Sequence, residues 1–155
     1  MTTGRPIAYT HGLVRELCGL PHETEWVEFK VGNENPQEIG EYISALANAA
    51  ALVGKTKGYL LWGVRNEDHA IVGTQFDPGR TRKGNEELES WLLRLLEPRI
   101  DFRFMTVDID GVRVVLLEIA AAERHPVRFS GTEYIRVGSY KKPLKDFPEK
   151  ERALW

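Results

Sequence analysis

The segment Glu25-Trp26-Val27-Glu28-Phe29-Lys30 alternates with the period of a half-buried strand. That places Val27 and Phe29 on one face and Trp26, Glu28 and Lys30 on the other. A carboxylate and an ammonium leaving a strand on the same side either form a weak surface ion pair or stand together in a site. Asn48, inside an otherwise apolar helical stretch, is mildly unfavourable there. It belongs either beside such a site or in a buried hydrogen-bond network tying down the following loop. Cations gather in loops and towards the tail: Lys55, Lys57, Arg80, Arg82, Lys83, Arg124, Arg128, Arg136, Lys141, Lys142 and Lys145. Those that share a face would track a phosphate backbone with salt-dependent affinity. Tyr134 and Arg136, two apart on one strand, pair a stacking surface with a phosphate contact.

Other signals fail on spacing or context. Residues 49–56, AAALVGKT, carry Ala49 where a phosphate-binding loop needs glycine, and they follow a helix instead of a strand. His22-Glu23 is followed at position 26 by Trp, where a zinc protease would place its second histidine. The four histidines, His11, His22, His69 and His125, have no metal-finger spacing.

The elements that must position these residues follow from periodicity. Leu13, Val14, Leu17 and Cys18 predict a short helix over residues 10–20, stopped by Gly19 and Pro21. Pro36, tolerated in a first turn, opens a long helix carrying Ile39, Tyr42, Ile43, Leu46, Ala49, Ala50 and Val53. Residues 58–64, GYLLWGV, predict a central strand buried on both faces, with residues 70–74 returning beside it. Leu88, Trp91, Leu92, Leu95 and Leu96 mark an amphipathic helix that serves more simply as core than as a dimer face, so homo-oligomer formation stays open. Residues 101–109 and 112–119 flank Asp110-Gly111, a tight hairpin signal, and residues 127–130 and 133–137 flank Gly131-Thr132. Helices interspersed with a mixed, mostly antiparallel sheet predict an α+β fold.

At 155 residues the chain is one domain, 1–155, with a core over about 12–150. The tail ends on EKERALW, a helix just beginning, which points to a longer protein with further domains. With 21 Lys+Arg against 23 Asp+Glu the chain is no polycation, so nucleic acid would meet a local basic surface. The single cysteine, Cys18, excludes an internal disulfide and favours a cytoplasmic compartment. No signal peptide or membrane-spanning run is present, so no membrane partner is expected.

Glu23, four intervening residues and then Glu28-Phe29-Lys30 resembles the signature of the Schlafen AlbA_2 domain family. Four further pieces agree in order: Ile43-Ser44-Ala45-Leu46-Ala47-Asn48, Gly58 to Val64, Ile71-Val72-Gly73 and Tyr134-Ile135-Arg136-Val137-Gly138-Ser139. The resemblance covers about Gly12 to Trp155. It implies an α+β module that binds nucleic acid, DNA or RNA, within a larger and often regulatory bacterial protein. In Schlafen proteins a similar fold cleaves structured RNA such as tRNA, with clustered carboxylates and a divalent metal. Carried onto this chain, that reading makes Glu23 and Glu28 the ligands of Mg²⁺ or Mn²⁺, hard cations that prefer oxygen, and puts Lys30 near the scissile phosphate. Glu23 and Glu28 converge only if Glu23 lies in the turn entering the strand. The third acid of the ribonuclease members falls here on Asn66, a neutral oxygen, with Asp68 nearby. That departure favours a nucleic-acid-binding module held mainly by phosphate contacts. A metal-dependent endoribonuclease and a protein-interaction domain are the alternatives.

Overall fold

A computed structural model describes residues 7–21, 24–32 and 34–155. The first helix, α1 (Ile7–Cys18), starts earlier than the periodicity implies and leads to β1 (Val27–Lys30). Asn35 then caps α2 (Pro36–Leu52), its side chain accepting the Glu38 N–H at 3.2 Å with Pro36 in the first turn. β2 (Lys57–Trp62) runs parallel to β1, with Glu28 opposite Leu60 and Lys30 opposite Trp62.

The chain between β2 and the next long strands holds small elements. Residues 70–74 make only an isolated bridge between Val64 and Ile71, not a second strand, because Gly63 and Gly73 both turn the backbone at positive φ there. The basic loop is itself a small hairpin, β3 (Arg82–Lys83) with β4 (Glu86–Glu87). It runs into α3 (Leu88–Leu95) and β5 (Leu96–Glu97).

β6 (Phe102–Ile109) and β7 (Val112–Ala120) form the expected hairpin. Asp110 and Gly111 take the positive φ values, 53° and 84°, that a two-residue turn of this hand requires. β8 (Arg128–Phe129) and β9 (Thr132–Val137) pair likewise, and β10 (Tyr140–Pro143) adds a strand where the sequence suggested only a basic tail. A 3₁₀ turn and α4 (Pro148–Leu154) close the chain.

The fold is α+β. One sheet has the order β1-β2-β7-β6 and a second, antiparallel throughout, the order β10-β9-β8-β5. Alternation along the first sheet gives it two apolar faces. Val27, Phe29, Tyr59, Leu61 and Leu116 pack with Val14 and Leu17 of α1, and Leu60, Trp62, Val115 and Leu117 pack with α2. α2 packs against β2 on one side and against β8 and β9 on the other. It is therefore buried over nearly its whole surface from Ile39 to Ala50, as expected of a helix packed between two sheets. Among the described residues no helix is long and apolar enough to cross a membrane.

Candidate nucleic-acid interface

Even-numbered β1 side chains point towards α2, so Glu28 and Lys30 leave the sheet where α2 meets the β9–β10 hairpin. Glu28 is 7% exposed and accepts a hydrogen bond from Arg136 Nε at 2.8 Å. Arg136, 3% exposed, also donates through Nη1 to the Thr24 carbonyl. This buried pair joins the two sheets. Sequence alternation placed Arg136 beside Tyr134 on a surface face, but the second sheet turns that face inward.

Lys30 reaches over the Tyr42 ring of α2, its Nζ 4.7 Å from the centroid. Lys141, directly across the hairpin from Arg136, brings its Nζ to 4.6 Å from the same ring and bonds Glu41 at 2.5 Å. Tyr134 O–H donates to Glu41 at 3.4 Å. Burial pushes the Glu41 carboxyl up, but the hydrogen bonds from Lys141 and Gln37 outweigh it and leave the pKa below the ordinary glutamate value. Burial, followed by the Glu28 charge, pushes the Tyr42 phenol up to about 12, so it stays neutral and its ring face remains available to cations. Lys30 has no carboxylate within ion-pair reach among the described residues. Tyr42 and Glu41 carry this cluster with no warning from the motifs. The only available signal was a phenol on an otherwise aliphatic helix stripe.

The other predicted cations lie elsewhere. Lys57 leaves β2 on the α1 face and pairs with buried Glu118 at 4.0 Å, while Lys55 sits 4.9 Å from the Trp26 ring. The partners of Arg80, Arg82 and Lys83 are Asp77, the Asn85 carbonyl and Trp91, all in the same loop or in α3. Lys142 lies over the Tyr140 ring on its own strand. Asn48 is a structural tie: its Nδ2 donates to the Val127 and Tyr134 carbonyls at 3.0 and 2.8 Å, and its Oδ1 accepts the Val127 N–H at 2.8 Å.

Of the metal ligands implied by the resemblance, Glu23 lies outside the described residues. Glu28 is bonded to Arg136, and Asn66 brings no charge. Asp68 is clamped by Arg65 at 3.0 and 2.9 Å. That bond, with the Ala70 N–H, holds its carboxyl down to about 2. Among the described residues no cluster of three or more His, Cys, Asp or Glu is placed to hold a metal.

A shallow cleft of about 380 Å³ opens beside the Glu28–Arg136 pair, lined among others by Thr24, Asn66, His69, Arg136 and Ser139. His69 is fixed in it by its Nδ1 contact to the Cys18 carbonyl at 3.1 Å and by its ring 4.1 Å from that of Phe29.

Comparison with known proteins places this geometry. The family described as Schlafen, AlbA_2 matches residues 23–145. The N-terminal domain of a RecG-related protein from Nitrosomonas europaea is similar in structure, with TM-score 0.55 and 22% identity over 88% of this chain and 92% of that one. The DIP2311 protein from Corynebacterium diphtheriae is similar with TM-score 0.51 and 21% identity over 84% of this chain. The chain spans about a quarter of that protein's length, the matched share being 24%. No curated protein matches the sequence.

Proposed function

We propose that this chain, which belongs to the Schlafen AlbA_2 family, is a nucleic-acid-binding module of a larger protein that grips the phosphate backbone. The observation that carries the reading is the convergence of Lys30 and Lys141, from separate sheets, on the Tyr42 ring beside Arg136. Lys30 has no carboxylate within ion-pair reach among the described residues, so an arriving phosphate would meet an ammonium group without a protein counter-ion and would release solution counterions on binding. The Tyr42 ring holds both lysines in place meanwhile, and Glu41 holds Lys141. Nothing in the cluster resembles a base-reading helix, so the contacts are to backbone and shape.

An electrophoretic shift with labelled tRNA and single- and double-stranded DNA tests this. The expected result is a salt-sensitive shift without cleavage, indifferent to Mn²⁺ or EDTA. The Lys30→Ala/Lys141→Ala variant should bind at least about tenfold more weakly and lower the slope of log affinity against log salt by about 1.5 to 2. An unshifted probe at low salt, or an unchanged slope in the variant, overturns the reading in favour of a protein-interaction domain. Metal-dependent cleavage lost in Glu28→Gln makes the chain a nuclease instead.

A further inference from the structure

We infer that the cleft beside the Glu28–Arg136 pair is a phosphate subsite in which the Arg136 guanidinium supplies the positive charge. The inference rests on the nucleic-acid reading above and names how the same surface seats one phosphate group. Arg136 is 3% exposed, and two of its nitrogens are engaged: Nε by Glu28 and Nη1 by the Thr24 carbonyl. Nη2 has no hydrogen-bond partner among the described residues. It is also not among the buried polar atoms cut off from solvent, the only one of which among the described residues is Trp62 Nε1. The unbonded corner of a nearly buried guanidinium is therefore open, and Arg136 lines the cleft.

The neighbouring groups suit an anion. Asn66 and Ser139, both exposed, bring an amide and a hydroxyl to the same cleft, and each can donate to a phosphate oxygen. Glu28 and the Thr24 carbonyl fix the guanidinium, so its open N–H groups need no reorganisation when an anion arrives. Asn66 fits this role better than a carboxylate would, since an aspartate there would repel the phosphate. Across the hairpin Lys141 stands opposite Arg136, so a strand seated in the cleft runs on towards the Lys30–Tyr42–Lys141 cluster.

The test is a titration of the ¹⁵N-labelled protein with sodium phosphate at constant ionic strength, with sodium chloride as control. The expected result is saturable shifts of the Ser139 amide and the Asn66 side-chain amide, unaffected by EDTA. In Asn66→Ala/Ser139→Ala, whose two sites are exposed and leave the fold intact, phosphate affinity should fall about tenfold. Shifts that never saturate, that fall on the lysines alone, or that persist unchanged in the double variant overturn the subsite. Arg136→Lys, if it folds, should also lose saturation, because one ammonium cannot serve Glu28, Thr24 and the cleft together. The two readings fail separately. Saturable phosphate binding without any nucleic-acid shift leaves the subsite and removes the proposed function. Nucleic-acid binding of equal strength in wild type and Asn66→Ala/Ser139→Ala removes the subsite and leaves the function.

Discussion

Glu28 and Lys30 leave the same face of β1 and end in opposite roles, one locked to a buried guanidinium and the other over an aromatic ring. Alternation made their shared face legible, but nothing local tells that a second sheet covers Glu28 alone. Removing one partner of such a pair leaves a buried charge, so Glu28→Ala should cost about 3 to 5 kcal/mol in urea unfolding. Asn48→Ala strands the Val127 N–H and releases two carbonyls. It should destabilise by about 2 to 4 kcal/mol, since each orphaned buried group costs about 1 to 3. Of the two roles the sequence left open for Asn48, the network is the one its bonds describe. Asp68 offers a pH readout. Arg65 and the Ala70 N–H depress its pKa to about 2, so the interaction is intact above the ordinary aspartate value of about 4 and fades as pH falls towards 2. A carboxyl ¹³C titration should show that low midpoint, and Arg65→Ala should return it to the ordinary range.

At the scale of elements, α2 shows that a helix can be assigned from sequence while its burial is not. Its span from Pro36 was legible from cap and spacing, whereas its burial on all sides depends on strands contributed ~80 residues later by β8 and β9. The hint was compositional: Gly40, Ala45, Ala47 and Ala49 leave room for backbone to approach from several directions. Gly40 is the sharpest case, because a Cβ there would stand 2.2 Å from the Phe129 ring. That ring is itself wedged against Trp91 at 5.5 Å. Gly40→Ala should therefore destabilise by about 1 to 3 kcal/mol despite alanine's better helix propensity. Phe129→Leu in the same background should recover part of the loss in urea unfolding. β10 escaped notice because Tyr140-Lys141-Lys142-Pro143 is polar and ends in proline, which suits only an edge strand. Gly138, which takes a positive φ in the turn between β9 and β10, was the local mark it offered.

At the scale of the molecule, the family match begins at residue 23, yet α1 before it is built into the structure. Val14 and Leu17 are 0% and 2% exposed and pack on the first sheet against Val27, Phe29, Tyr59 and Leu116. His11 reaches the Asp108 carbonyl at 2.6 Å and Arg15 the Asp110 carboxylate at 3.1 Å, so the helix is tied to the β6–β7 hairpin as well as laid across it. Burying a valine and a leucine stabilises by about 1.5 to 3 kcal/mol each, set against a whole-domain stability of about 5 to 15 kcal/mol. The sheet residues uncovered with them would form a contiguous apolar face of the kind that drives association. A chain starting at residue 19 should thus lose at least about 3 kcal/mol in urea unfolding and self-associate in sedimentation velocity. The Lys30–Tyr42–Lys141 cluster, on the opposite face of the sheet, would keep its geometry wherever the fold survives. If the shortened chain stays monomeric with unchanged stability, α1 is an appendage and the domain begins where the family match does. If it associates while still shifting nucleic acid, the helix is part of the domain and the two faces of the first sheet divide stability from binding.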